Sequence, residues 1–171
     1  MSTATFALIF GIAYLGAGLL GLVPAALTPP PADAPPTHVT FLYGYLLGLF
    51  PVNILHSAVH IAIGAWGLLA WRGTASPTVF ARSLALFYGA LALMGVIPGM
   101  STLFGMLPMH GHDVWLHAGT ALIGAYFGWR SAVSPERRAS SAADRRQHML
   151  PVDHERRFGL DDRRQMAFGG V

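Results

Sequence analysis

Four stretches of this chain, Thr5 to Leu27, Val52 to Trp71, Val79 to Ile97 and Val114 to Trp129, each run for about the thickness of a bilayer with scarcely a charged side chain. A helix rising 1.5 Å per residue needs about 20 apolar residues to cross a hydrocarbon core, and only a helix or a closed barrel satisfies its backbone there. The spacing therefore predicts an all-α integral membrane four-helix bundle over residues 1–130, followed by a polar C-terminal tail over 131–171. Composition agrees: 53% of the residues are hydrophobic and 11% charged, where a soluble domain carries about a quarter charged.

The first stretch resembles a secretory signal, with Ala32-Asp33-Ala34 as a small-residue cleavage site. Its start, Met1-Ser2-Thr3-Ala4, lacks the basic residues such a signal needs, so an anchored helix is expected. Between the first two spans, Thr28-Pro29-Pro30-Pro31-Ala32-Asp33-Ala34-Pro35-Pro36 cannot continue a helix and reads as an extended, polyproline-like loop. Phe41 to Phe50 is apolar but is followed by Pro51, and reads as an interfacial lead-in to the second span.

Orientation follows from arginine, the sole strong base in the chain, since all eleven basic residues are Arg. The first and third connections carry none. The second holds Arg72 and Arg82, and the fourth span ends at Arg130. The positive-inside rule then places both termini and the second connection on the cytoplasmic side. Trp66, Trp71 and Trp129 are expected at the inner boundary and Trp115 at the outer one, where amphipathic rings settle.

Gly11, Tyr14, Gly18, Gly21 and Ala25 share one face of the first span at helical spacing. Gly64 with Gly67, Gly95 with Gly99, and Gly124 with Gly128 repeat the pattern. Small faces allow membrane helices to pack by close van der Waals contact. Beyond Ser131 the chain turns polar, with the triplets Glu136-Arg137-Arg138, Asp144-Arg145-Arg146, Glu155-Arg156-Arg157 and Asp162-Arg163-Arg164. This tail is either a docking segment for anionic headgroups or a partner subunit, or a solvated run of alternating charge.

The second span opens on Asn53-Ile54-Leu55-His56-Ser57-Ala58-Val59-His60. At 100° per residue, Asn53, His56, Ser57, His60, Gly64 and Gly67 form one stripe, which predicts that the polar groups point into the bundle. Asp113, His117, Thr120, Gly124 and Gly128 form the matching stripe of the fourth span. Both spans run from outside to inside, so His56, His60 and His117 are expected one to two turns below the same outer surface.

Ionisable groups at such positions are costly and mark function by default. His56 and His60 at i, i+4, with His117 and Asp113, make a nitrogen and oxygen set suited to a transition metal such as zinc. One histidine can instead hold haem iron or chlorophyll magnesium axially. A third account needs no ion: imidazole donates at one nitrogen and accepts at the other, so the cluster becomes a hydrogen-bonded strut. The pair encloses Ser57-Ala58-Val59 and no glutamate, so the general base of a zinc protease is missing and no catalytic residue is assigned. Without cysteine, thiolate zinc sites, iron–sulfur clusters and disulfides are excluded. His110 and His112, in the outer loop, are expected to be solvated or to start the helix, and Asp113 to be its N-cap.

These residues carry a resemblance. Leu49-Phe50-Pro51-Val52-Asn53-Ile54-Leu55-His56-Ser57-Ala58-Val59-His60, with Asp113-Val114-Trp115-Leu116-His117 opening the last span, resembles the bacterial membrane family catalogued as domain of unknown function 4383, over roughly Phe6 to Trp129. The resemblance implies a four-helix integral membrane protein, and so a bacterial inner or intracytoplasmic membrane. It implies no activity. Pro51 and Ser57 depart from the Gln and Asn expected there.

Three functional expectations stand. The first is a non-catalytic accessory or structural subunit of a larger membrane complex, photosynthetic or respiratory, bound through the tail and the Gly-rich helix faces. The second is a metal- or tetrapyrrole-binding membrane protein using His56, His60 and His117. The third, a transporter or proton pathway, is disfavoured because no acid or Arg lies near the middle of a span and no broken-helix pair is evident. A nucleic-acid partner is not expected.

Overall fold

The computed structural model describes residues 1–130; the docking role read for the Arg-rich tail falls on 131–171, outside the described residues. Four helices dominate: α1 (Thr3–Leu20), α2 (Ile54–Trp71), α3 (Pro77–Val96) and α4 (His112–Trp129). Ser2 caps α1 by accepting from the Thr5 N–H at 3.0 Å, and Ser76 caps α3 just ahead of Pro77, which costs nothing at a first helical position. The helix α1 ends at Leu20, seven residues short of the predicted Leu27, and Pro24 starts a separate 3-10 turn over Pro24–Ala26.

The apolar run Phe41 to Phe50, read from the sequence as an interfacial lead-in, contributes strands. Three short strands, β1 (Leu27–Thr28), β2 (Gly44–Leu46) and β3 (Phe50–Val52), form an antiparallel sheet in that order. Leu27 faces Leu46 across the first pair, and Tyr45 faces Pro51 across the second. Pro51 is tolerated because β3 is an edge strand, where a missing N–H leaves no neighbour unpaired.

Small residues set how the helices meet. The helix α1 runs antiparallel to α2, with Gly11 against Gly67 and Gly18 against Ser57 and Ile61. A Cβ on Gly67 would lie 2.7 Å from the Gly11 Cα, too close for any side chain. The helix α4 repeats the arrangement on α3, seating Gly124 on Ala81 and Ala85, and Gly128 on Arg82. Two members leave the pattern. Ala25 lies beyond the end of α1 and is exposed, and Gly99 falls in a turn at φ 82° with nothing above it.

The core lies between the two pairs, where Phe6 stacks on Phe127 at 4.8 Å and packs with Phe80, Leu84 and Tyr88. Trp66, partly buried, packs against this core, its ring edge-on to Phe80 at 5.4 Å. Trp71, Trp115 and Trp129 are exposed at helix ends, as expected. Outside the core the helices present Ile12, Leu86, Leu93 and Leu122 to their surroundings, each more than half exposed, as befits a surface bathed in lipid.

By length and composition α1, α2 and α3 are able to cross a membrane. The sequence predicted four spans, and α4 falls short in hydropathy because its inward face carries Asp113, His117 and Thr120. All three are buried, so the polarity is turned to the protein and the outward face stays apolar.

A candidate metal centre beneath the outer loops

Asn53 assembles the end of the molecule where the histidines lie. Its backbone is extended and its side-chain oxygen accepts from the His56 N–H at 3.0 Å, capping α2. Its amide nitrogen donates to the Val39 carbonyl at 3.1 Å and to the Met106 carbonyl at 2.8 Å. One fully buried side chain thus ties the first turn of α2 to both loops above it. Those loops also join each other, since His38 N–H and the Thr37 hydroxyl both donate to the Gly105 carbonyl, at 2.8 and 2.7 Å. Gly105 sits at φ 83° with the His38 ring where a Cβ would be, so glycine is required there.

Beneath this cover the two polar stripes meet. His56 and His60 from α2 and His117 from α4 offer ring nitrogens that all lie within 4.8 Å of one another, and all three residues are buried. The rings of His56 and His60 are 4.5 Å apart, and those of His56 and His117 6.2 Å apart. Asp113 Oδ2 stands 3.4 Å from His117 Nε2 and 4.0 Å from His56 Nε2. The shorter contact lacks the alignment of a hydrogen bond. Asp113 is 1% exposed and lies inside the first turn of α4. The predicted capping role passes to Gly111, whose positive φ of 66° turns the chain into the helix, leaving the carboxylate free to face the imidazoles.

The remaining histidines stay apart. His112 is exposed as the first residue of α4. His110 is half-buried against Tyr45, whose hydroxyl is 3.5 Å from its Nδ1, and burial pulls its pKa below the usual histidine value.

The polar atoms of the cluster lack protein partners. Among the described residues, His56 Nδ1, His60 Nδ1, both His117 ring nitrogens and both Asp113 oxygens are buried without a hydrogen bond. Native interiors rarely leave such groups unpaired. A small, partly enclosed cavity of about 140 Å³, lined by all three histidines, Tyr88 and Met109, lies beside them. At about 30 Å³ per water in the liquid, this is room for an ion and a few waters.

Two tyrosines frame the rings and were not singled out as site residues by the sequence. Tyr14 packs on His60 at 5.1 Å, and its hydroxyl pairs with Thr120 Oγ1 at 2.9 Å. Tyr88 packs on His117 at 5.0 Å. Tyr14 carried a signal, being the one polar side chain on the Gly face of α1. Tyr88 carried none, because nothing in the α3 sequence separates it from its apolar neighbours.

No curated protein and no solved structure matches this chain. A family model described as a domain of unknown function (DUF4383) matches residues 4–130, most of the chain and all of the site, and the protein belongs to that family.

Proposed function

We propose that this protein is a multi-pass membrane protein that binds a divalent transition metal at His56, His60 and His117, with Asp113 as fourth ligand or as the carboxylate that orients His117. The observation that carries this reading is the convergence of three buried imidazoles, from two helices, within 4.8 Å and beside unpaired Asp113 oxygens. A cation would take one nitrogen from each imidazole and one Asp113 oxygen, groups that the structure leaves without hydrogen bonds to one another. Three nitrogens and one oxygen suit zinc and its neighbours. Zn–N bonds of about 2.0–2.1 Å require ring nitrogens roughly 3.4 Å apart, so small side-chain rotations would close the site.

A tetrapyrrole is a poorer match. Axial ligation takes one or two imidazoles on opposite faces of a plane, whereas these three aim at one point, and the cavity they bound holds about 140 Å³. Membrane placement follows the arginines: Arg72, Arg82 and Arg130 lie at the end opposite the histidines, which puts both termini on the cytoplasmic side and the metal near the outer face of a bacterial inner or intracytoplasmic membrane. In this reading α4 completes a four-helix bundle. Service as an accessory subunit rests on the tail, and co-purification of the full chain against one ending at Ser134 tests it separately.

The direct test is metal content of the purified full-length protein, followed by Co(II) titration read by visible absorption. About one ion per chain and saturable Co(II) bands are expected, both lost in His56→Ala/His60→Ala. A wild-type protein that neither carries metal nor takes up Co(II) overturns the reading, as does uptake unchanged in the double variant.

A further inference from the structure

Next to the histidine cluster, α1 and α4 part to leave an open groove of about 690 Å³, within the usual range of small-molecule sites. Its walls are apolar, from Phe10 and Ile12 on α1 to Leu116 and Ile123 on α4, and strand residues Leu46 and Phe50 close one end. Four polar side chains reach it: Tyr14, His60, Asp113 and Thr120. His60 and Asp113 are 5% and 1% exposed, and His60 Nδ1 and both Asp113 oxygens have no hydrogen-bond partner among the described residues. Tyr14 and Thr120 bond each other, which leaves one hydroxyl hydrogen of the pair free to donate.

Two glycines mark the same groove. Gly16 and Gly119 line it, and a Cβ on either would meet no atom within 4 Å. The helical glycines at 11, 18, 64, 67, 124 and 128 each receive a neighbouring helix. A glycine inside a helix weakens it, so positions 16 and 119 keep space open at a cost that helix packing does not explain.

We propose that this groove binds a membrane-dissolved, uncharged single-chain amphiphile, its tail along α1 and α4 and a hydroxyl or carbonyl head group at His60, Asp113 and Thr120. The uncharged head follows from the lining: no Arg or Lys is among the groove residues, so a phosphate or carboxylate would meet Asp113 with no cation to offset it. The head group would lie at the edge of the metal centre. The groove shares His60 and Asp113 with the proposed metal site, whereas His56 and His117 do not line it, so the two readings can be tested apart.

The test uses full-length protein in phosphatidylcholine nanodiscs and photoreactive diazirine probes: a long-chain alcohol, an alkyl quinone, the matching fatty acid and phosphatidylcholine. Saturable labelling of α1 and α4 groove residues by the alcohol or the quinone is expected, with whichever competes better naming the source of the head group. Gly16→Leu/Gly119→Leu projects side chains into the groove from positions where a Cβ meets no atom within 4 Å, and should lower that labelling at least tenfold while Co(II) uptake persists. His56→Ala/His117→Ala should do the reverse. Equal labelling in the filled variant overturns the proposal, as does labelling spread evenly onto exposed Leu86 and Leu93 of α3. Labelling by the fatty acid or phosphatidylcholine that matches the neutral probes overturns the uncharged head.

Discussion

The Asn53 carboxamide holds the first imidazole of the site in place: its oxygen accepts from the His56 N–H at 3.0 Å while its nitrogen anchors the Val39 and Met106 carbonyls. Replacement by Ala removes a helix cap, worth about 1 kcal/mol, and takes the donor from two part-buried carbonyls at about 1–3 kcal/mol each. Asn53→Ala should therefore cost roughly 3–5 kcal/mol in all, even allowing for water reaching one carbonyl. Asn53→Asp keeps the cap but turns a second acceptor oxygen onto the two carbonyls in a buried site, so its melting temperature, read by thermal unfolding in nanodiscs, should fall at least as far below wild type as that of Ala. Equal melting of all three would show that the clasp contributes nothing.

Asp113 separates a ligand from an orienting group. Asp113→Asn preserves shape and removes the charge facing His117 and His56. Loss of an orienting carboxylate typically lowers metal affinity about 10–100-fold. Competition titration with a chromophoric chelator should show a loss of at least that size, and His117→Ala a larger one. A Co(II) spectrum whose band shape changes in Asp113→Asn identifies a direct ligand, whereas an unchanged spectrum with weaker binding identifies orientation through His117.

A glycine of α2 packed against α1 and a glycine on the open side of α1 should respond oppositely to added side-chain bulk. Gly67→Val puts methyl groups against the Gly11 Cα and the Ala7 carbonyl, where a Cβ alone would sit at 2.7 and 2.9 Å. Those are backbone atoms, so the helices must separate, at about 1–3 kcal/mol or more. Gly16→Ala meets nothing and gains helix propensity, about 0.8–1.0 kcal/mol. Thermal unfolding should place the two variants on opposite sides of wild type.

Periodicity made the histidine site legible and hid the strands. His56, His60, Asp113 and His117 could be assigned to inward stripes because a helix of 3.6 residues per turn fixes which residues share a face, and the two spans are parallel. The strands were obscured because Phe41 to Phe50 is apolar throughout, and lipid-exposed segments are read by hydropathy, which is blind to the difference between a strand and a helix. The clue was there in period two: Gly44 and Leu46 are buried while Tyr45 between them is less so, and Gly48 and Pro51 punctuate the run. Asn53 was placed on the right face, but its hold on Val39 and Met106 depends on loop positions no spacing rule encodes. Asp113 was assigned to the cap because sequence favours Asp there, yet Gly111 turns the chain two residues earlier and frees the carboxylate for the site.

His110 gives the loop ahead of α4 a calculable response to acid. It lies outside the helices, half-buried, with Tyr45 its neighbour at 3.5 Å, and burial lowers its pKa in the folded protein. The unfolded chain titrates near the ordinary value of about 6.5, so at and below that pH the unfolded state binds more protons and stability rises with pH. The contribution of His110 is complete above pH of about 6.5 and is lost as pH falls toward its folded value. His110→Gln keeps a polar partner for Tyr45 without a titrating group. Measured in EDTA, so that metal release does not enter, the melting temperature of the variant should fall less than that of wild type between pH of about 7.5 and 5. Parallel curves would mean that the ring is solvated in the folded protein and that the contact with Tyr45 does not hold the loop.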